Sequence, residues 1–600
     1  MRVADYVIEF LENHGVDHIF SVVGGGSIFL CDAVATAKKM KYVACHHEQA
    51  ASMASEAYAR VRMGLGVTLV TSGPGGTNCV TGVAGAWLDH VPLLTISGQT
   101  FLTQTIGKHP GLRTMGVQEI NIVDIVKPIT KYAVMIEDAQ EIRYHLEKAV
   151  YLATHGRPGP TWLDIPANIQ NAKIDPASLK GFDPKESELT LDPELKAKVT
   201  QVVKLLKSAN RPLIHIGQGV RIAGAGKEFF KMVEALRLPF VTARNANDMV
   251  ASDHELYVGR PGTYAQRGAN FAVQTSDLYV AIGTRLSLAQ TGYTAKDYAR
   301  NAKVVMVDID QAELDKDTVK LHLKIHADAK LFLEEVNRQL SEEKLEPQQW
   351  SKWLLQCKQW QQRYPVVLPE YSELVGRVNS YHFIDVLSDV LKPDDVVVTD
   401  MGFSFQSTHQ AFRVKSGQRV FTNCGLASMG WGLPAAVGAC FANKKKPTVC
   451  IAGDGGFLMS IHEMATVMHH LLPVKLFVLN NGGYLTQKQA QEFGFEGRLM
   501  GCNEDSGLSF PDFMKIAEAH RFKGVRLESN RDLKKHIEEV MNCEGPVLCE
   551  IMMDPLQLQG PKALNRRNAD GKMKQTPLED SYPFLDPREI EENLSVINKI

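Results

Sequence analysis

Residues 448–458 read TVCIAGDGGFL, and residues 474–483 read VKLFVLNNGG. Each begins with a run of apolar, mostly branched side chains and ends in glycine and small polar residues. Runs this apolar suit strands buried on both faces, as in a parallel sheet covered by helices. The chain between them is long enough for one helix, so the pair reads as strand, helix, strand. Gly453, Gly455 and Gly456 permit a tight turn and let backbone amides approach an anion. Asp454 offers a hard carboxylate oxygen, and Asn481, at the end of the next strand, an amide oxygen. The carbonyl of Gly483 is a third candidate ligand. Oxygen donors of this kind suit Mg²⁺, which keeps phosphate oxygens and water in its shell. The ends of parallel strands are where such sheets bind ligands. The bland alternative is an exposed turn and an unrelated Asn-Asn turn; the strand context on both sides argues against it.

The same alternation runs outward in both directions. VTLVTSG (67–73), PLLTISG (92–98), RPLIHIG (211–217), DLYVAIG (277–283), KVVMVDID (303–310) and DVVVTD (395–400) are further buried-strand candidates separated by helical patterns. The fold class is α/β, with doubly wound parallel sheets. Residues 173–195 and 341–366 are polar and read as linkers. They divide the chain into domains at 1–175, 190–345 and 366–560, with a C-terminal tail at 561–600. VTLVTSGPGGTN…VPLLTISGQ in the first domain parallels TVCIAGDGGFL…VKLFVLNNGG in the third, which points to one plan used twice. Any doubly wound domain repeating its units is the alternative.

Composition narrows the function classes. Sixty-six basic and 68 acidic side chains leave a net charge of −2, with no lysine- or arginine-rich run, so nucleic acid is not an expected partner. The 10 cysteines show no C-x-x-C pair, which fits a reducing, cytoplasmic setting. The N-terminal MRVADYVIEFLENHGV is an acidic amphipathic helix pattern, unlike a signal peptide. The uncharged stretch from Met63 to Leu88 is broken by Ser72-Gly73-Pro74-Gly75-Gly76 and reads as strand, turn and helix, not as a membrane span.

Gly453-Asp454-Gly455 with Asn480-Asn481 resembles the thiamine-diphosphate (ThDP)–Mg²⁺ motif of the pyruvate decarboxylase and acetolactate synthase superfamily. HEQAASMASEAYAR (47–60), TSGPGGTN (71–78), RPGP (157–160), LASMGWGLPAA (426–436) and LPVKLFVLNN (472–481) extend the resemblance over residues 1 to about 560. The resemblance implies a pyrimidine-binding domain, a central nucleotide-binding-like domain and a diphosphate-binding domain. It implies that Glu48 hydrogen-bonds N1′ of the aminopyrimidine; a carboxyl group there can share a proton. Taken alone, Glu48 is a first-turn residue compensating a helix dipole. Met429 takes the position of the apolar wedge under ThDP, and the Ala427 carbonyl that of an acceptor for the amino group. Gly402 and Ser404 take diphosphate positions, although Gly402-Phe403-Ser404 departs from the G-Q-H of acetolactate synthases. Gly25, Pro74 and Asn78 in the first domain, and Gly456 and Tyr484 in the third, are further cofactor contacts implied. Gln118 matches a glutamine near the reacting carbon. His46 and His47 are candidates for tuning proton transfers, with His47 the catalytic candidate.

In the middle domain, Gly217, Gly219, Thr242, Gly262, Thr263, Gly283, Arg285 and Asp308 resemble the FAD-binding stretches of acetolactate synthases. Glycine-rich strand ends can approach a nucleotide diphosphate and Arg285 can pair with it. The resemblance implies a structural FAD; ADP or an unfilled fold are the alternatives. The reaction expected is decarboxylation of a 2-oxo acid such as pyruvate, followed by transfer of the two-carbon unit to a second carbonyl compound, in a homodimer or homotetramer. The alternatives are a decarboxylase or C–C hydrolase without ligation, and a non-catalytic subunit that has kept the fold. Two departures bear on the acceptor. Ala167 and Ala490 stand where acetolactate synthases carry a lysine and a tryptophan, which predicts a roomier, uncharged acceptor pocket suited to a sugar-like carbonyl. The segment 501–508 and the tail after residue 556 are expected to close over the site.

Overall fold

The computed structural model describes residues 1–109, 111–187, 192–342, 349–567 and 570–600. The apolar runs form strands, and among the described residues these make three six-stranded parallel sheets and one small antiparallel pair. The first sheet holds β1 (His18–Ser21), β2 (Lys41–Ala44), β3 (Gly66–Val70), β4 (Leu93–Gln99), β5 (Tyr132–Met135) and β6 (Pro160–Pro166), in the order β2-β1-β3-β4-β6-β5. The second holds β7 (Pro212–Ile216), β8 (Phe240–Thr242), β9 (Tyr257–Gly259), β10 (Leu278–Ile282), β11 (Lys303–Asp308) and β12 (Leu323–His326). Its order, β12-β11-β10-β7-β8-β9, runs outward in both directions from β7 and β10. That doubly wound order leaves a crevice at the carboxyl ends of the two central strands, where such sheets take dinucleotides. The third holds β13 (Val396–Thr399), β14 (Arg419–Phe421), β15 (Thr448–Gly453), β16 (Val474–Asn480), β17 (Lys523–Leu527) and β18 (Val547–Met552). Its order, β14-β13-β15-β16-β18-β17, repeats that of the first sheet strand for strand, in keeping with one plan used twice.

The first and third units share one apolar cluster, which includes Phe20, Met53, Trp431 and Leu476. The helix Glu48–Arg62 crosses the helix Gly432–Ala442 backbone to backbone. A Cβ at Gly438 would lie 1.9 Å from the Ala54 carbonyl oxygen, so only glycine permits this approach. A buried ion cluster pins the same junction. Arg60 donates to Glu56 at 2.5 Å and to Asp89 at 2.8 Å, and all three side chains are buried. The Trp431 indole donates to Glu56, while Asp89 also accepts from the Gly425 amide and from Asn245. Asp89 therefore touches all three sheet units. Removing one partner of a buried ion cluster leaves an uncompensated charge. Arg60→Ala is expected to cost about 3–5 kcal/mol, read as a fall in the urea midpoint; a cost below about 1 kcal/mol would show the cluster to be dispensable.

Two stretches differ from their reading by composition. Within 341–366, the helix Ser351–Arg363 buries Trp353 and Trp360, and Trp350 just before it, in the central core. Their indole N–H groups donate to the Ala209 and Pro212 carbonyls and to Asn593. The polar face that suggested a linker is the solvent side of a core helix; residues 188–191 and 343–348 of the two linker stretches lie outside the described residues. The later part of the tail packs on the central unit. Leu578 and Val596 join the central core, and Arg267 donates to the Ser581 and Pro583 carbonyls. Its beginning reaches the third unit, where Gln559 bonds Gln406.

Candidate active site

The turn after β15 is built around Asp454. Its side chain is buried and accepts from the backbone N–H groups of Gly455 at 2.7 Å and of Asn481 and Gly483, both at 3.1 Å. Burial pushes this carboxyl up to about 6, against the backbone donors that pull it down. The neighbouring asparagines part ways. Asn480 donates to Glu550 and accepts from the Gly482 amide, which ties it into the scaffold. Asn481 lines an open cavity of about 1110 Å³ together with Asp454 and Gly483. The Gly483 N–H is held by Asp454, its carbonyl accepts from the Leu485 amide, and the residue pairs with Asn503. The segment 501–508 therefore lies against the loop carrying these oxygens.

Gly402, Ser404, Ala427, Met429, Gly453, Gly455, Gly456 and Tyr484 line the same cavity. A Cβ at Gly402 or Gly453 would meet nothing within 4 Å, so both glycines open onto free space. At Gly455 a Cβ would fall 2.0 Å from the Tyr484 ring, so glycine here lets that ring pack. Gly402 caps the helix Phe403–Ala411, whose first-turn N–H groups give the cavity an anion-attracting end. Ser404 turns its hydroxyl back onto the Asp400 and Met401 carbonyls, which leaves its backbone as the free donor. Ala427 sits at φ 61°, a strained backbone conformation for a residue with a side chain. A buried carboxylate and an amide oxygen lining the cavity beside two glycine-lined openings and a helix N-terminus are a donor set that fits a Mg²⁺-diphosphate group.

Sequence reading missed Asp400, which organises this floor. It is fully buried, pushed up to about 6 by burial, and accepts from the amides of Met401, Gly430 and Gly432. Its place at the end of the DVVVTD strand is the signal that was available. Arg244, Tyr264 and Gln406 also line the cavity and carry no sequence signal for it.

The first-unit candidates gather elsewhere, at the carboxyl edge of the first sheet. Glu48 opens its helix and accepts from Asn78 at 2.9 Å; Pro74 begins the helix Pro74–Asn78. Gln118 is exposed at φ 56°, against the Gly73 turn. Gly25 starts the turn whose next residue, Gly26, donates to Thr71. His47 caps the helix, its Nδ1 accepting from Gln49, and its ring lies 5.7 Å from His462. The backbone amides of His46 and His47 donate to the buried Glu463. None of these residues lines the Asp454 cavity of the same chain.

The middle-unit candidates divide. Gly217, Gly219, Gly283, Arg285 and Asp308 line a second cavity, of about 1060 Å³, at the carboxyl ends of β7, β10 and β11. Gly217, Gly219 and Gly283 pack backbone to backbone; a Cβ at Gly217 would lie 2.2 Å from the Gly283 carbonyl oxygen. Burial pushes Asp308 up to about 6. Thr242 is a correction: its buried hydroxyl bonds Tyr257 at 2.9 Å, and the wall is formed instead by Ala243, Arg244 and Asn245. Gly262 and Thr263 stand behind the wall instead of lining the cavity: the Gly262 amide is held by Asn270, and Thr263 spends its hydroxyl on the wall residue Ala289. Ala167 is buried in the first unit and Ala490 stands exposed on the helix Leu485–Gly494; neither lines the Asp454 cavity, where Thr486 and Gln487 do, and where Arg244 supplies a cation.

Three family models match the chain: the N-terminal TPP binding domain of thiamine pyrophosphate enzymes at residues 1–124, the central domain at 199–336, and the C-terminal TPP binding domain at 400–551. Among curated relatives, the acetolactate synthase large subunit of Cyanidium caldarium is 30% identical, over 91% of this chain and 92% of its own. The probable acetolactate synthase large subunit of Methanococcus aeolicus is 31% identical over 92% of each chain. The isozyme 2 large subunit of Escherichia coli K12 is 30% identical over 93% of this chain and 96% of its own. With three matching domain models and relatives of this identity along nearly the whole chain, the protein belongs to the thiamine-diphosphate enzymes of the acetolactate synthase type.

Proposed function

We propose that the chain decarboxylates a 2-oxo acid, with pyruvate the leading donor, and ligates the two-carbon unit to a second carbonyl compound. The observation that carries this is the Asp454–Asn481 oxygen pair opening on a glycine-lined cavity at a helix N-terminus. Asp454, Asn481 and the Gly483 carbonyl are the residues to hold Mg²⁺. Gly402, Gly453, Gly455 and Gly456 flank the diphosphate, Met429 underlies the rings, and the Ala427 carbonyl receives the amino group. Bound ThDP supplies the electron sink for CO₂ loss. Glu48 holds a proton at the pyrimidine nitrogen, and Gln118 and His47 stand near the reacting carbon.

Because Glu48 and Asp454 do not share a cavity within one chain, the complete site is taken to form between two chains, in a homodimer or homotetramer. The exposed apolar side chains Val23 and Val117 beside the first-unit cluster, and Met459 and Met500 in the third unit, support such a contact. Domains at 1–175, 190–345 and 366–560 accord with the spans of the three sheets. No described helix is long and apolar enough to cross a membrane, and all ten cysteines are free, which supports a cytoplasmic setting.

The test is NMR product analysis of the protein with pyruvate, ThDP, Mg²⁺ and a panel of aldehydes, ketones and keto sugars. A 2-hydroxyketone product is expected; acetaldehyde alone would replace ligation with simple decarboxylation. For the second cavity, the doubly wound crevice and Arg285, whose side chain has no partner among the described residues, favour a dinucleotide, read as structural FAD. The protein is expected to take up FAD and turn yellow, with the flavin staying oxidised during turnover. Failure to take up FAD while binding ADP would assign the crevice to the smaller nucleotide.

A further inference from the structure

Gln118 has a backbone φ of 56°, a strained conformation for a residue with a side chain, and such a turn persists only where its surroundings hold it. On one side lies the Gly73 turn, where a Cβ would fall 2.6 Å from the Gln118 carbonyl oxygen. Glu119, the next residue, is buried and accepts from the amides of Ile106 and Met115, both at 3.2 Å, which closes the loop on itself. The carbonyl of Ile120, one residue further, accepts from the side-chain Nε2 of Gln99 at 3.0 Å. Gln99 is buried at the end of β4. The same nitrogen donates to Asp164, on the neighbouring strand β6, at 3.1 Å, one hydrogen serving each acceptor. The other oxygen of Asp164 accepts from the Ser97 hydroxyl at 2.6 Å, and Ser97 accepts from the Trp162 indole at 2.8 Å.

Asp164 is thus a buried carboxyl inside an apolar sheet, and no cation pairs with it among the described residues. Burial pushes it up to about 7 against the Ser97 and Gln99 hydrogen bonds, and Glu119, the charged group facing it from the loop, adds to the rise. A sheet core gains nothing from an acid held this way. What the acid does hold is the orientation of the Gln99 amide, because a carboxylate accepts on both oxygens and donates on neither. A proton on it turns one oxygen into a donor. Gln99 then meets that donor with its own Oε1, which at present accepts from the Thr100 amide at 3.0 Å, and its nitrogen leaves the Ile120 carbonyl.

We propose that Asp164 and Gln99 are positioning residues for Gln118: the carboxylate orients the Gln99 amide, and the amide fixes the Ile120 carbonyl and the strained turn before it. The effect on turnover rests on the placing of Gln118 near the reacting carbon given above; the linkage itself does not.

The experiment uses the full-length protein with ThDP and Mg²⁺ and compares wild type, Gln99→Met, Asp164→Asn, Gln118→Ala and the double variant Gln99→Met/Gln118→Ala. Hydrogen exchange reads the loop without reference to activity. In Gln99→Met, amides 114–120 are expected to exchange on the order of three- to tenfold faster, as for loss of one neutral hydrogen bond, with β4, β6 and ThDP affinity unchanged. The kcat/KM for CO₂ release from pyruvate is expected to fall by a similar factor, with no further fall when Gln99→Met is added to Gln118→Ala, since residues acting through one another are not additive. Wild-type activity is expected to rise with pH through about 7, as Asp164 ionises. Asp164→Asn keeps an oxygen for Gln99 and turns its amide nitrogen to Ser97, so it is expected to stay active and to lack that step. This milder variant carries the test if Gln99→Met does not fold. Unchanged exchange in 114–120 overturns the proposal. So does an equal loss from Gln99→Met with and without Gln118, which would mark a general packing role, or the same pH step in Asp164→Asn. Faster exchange in Gln99→Met together with a fully active Gln118→Ala would instead bring down the placing of Gln118 near the reacting carbon.

Discussion

Asp454→Asn is expected to lose Mg²⁺-dependent ThDP binding by on the order of a hundredfold or more. Among the described residues the carboxylate is the one acidic side chain lining the cavity, and the diphosphate and metal charges must balance against it. Asparagine keeps an oxygen for the amides of Asn481 and Gly483, which the present side chain holds at 3.1 Å, so the loop is kept while the charge is removed. Alanine would remove both, leaving two amides without their acceptor, and would confound ligand loss with loop collapse. Titration by calorimetry with and without Mg²⁺ reads the effect directly. Equal affinity in wild type and variant would sink the metal assignment, and the helix N-terminus at Gly402 would then be the main anchor of the diphosphate.

Glu48→Gln is expected to fold and bind ThDP, yet to lower CO₂ release from pyruvate by on the order of 10²–10⁴-fold, the range for removing a general acid–base group. Glu48 lies half-buried in the first turn of its helix, bonded to Asn78 at 2.9 Å. Glutamine preserves the shape and can still bond the Asn78 amide, but cannot hold a proton for a ring nitrogen. Unfolding of the variant is not expected, because the helix buries its small-residue face whichever side chain occupies position 48. Near wild-type CO₂ release would take Glu48 out of this role and leave it as a dipole-compensating residue. The pair of predictions also tests how the site is assembled. Glu48 and Asp454 sit in separate places in one chain, so mixing Glu48→Gln chains with Asp454→Asn chains should restore part of the activity in mixed dimers.

Sequence alone determined the parts of this protein that depend on local pattern. Apolar runs such as LFVL (476–479) and VVV (396–398) suit strands buried on both faces, so the α/β class and the parallel sheets were legible. The GDG turn, with its carboxylate and the following asparagine, was legible too, because its chemistry is carried by residues close along the chain to one crossover. Tertiary structure decided whatever depends on distant neighbours. Ser351–Arg363 reads as a polar linker until the central sheet is there to bury its tryptophans. Thr242 reads as a cofactor contact until Tyr257 is seen holding its hydroxyl. Asn480 and Asn481 are alike in sequence, and only Glu550, on the neighbouring strand β18, separates the scaffold residue from the candidate ligand. The charge of the reaction cavity was hidden for the same reason. Positions 167 and 490 do not line the Asp454 cavity of the same chain, and its cation comes from position 244, in a different sheet unit that no local pattern links to the site. A strand's burial is set by its own side chains, whereas a cavity's charge is set by whichever unit packs against it.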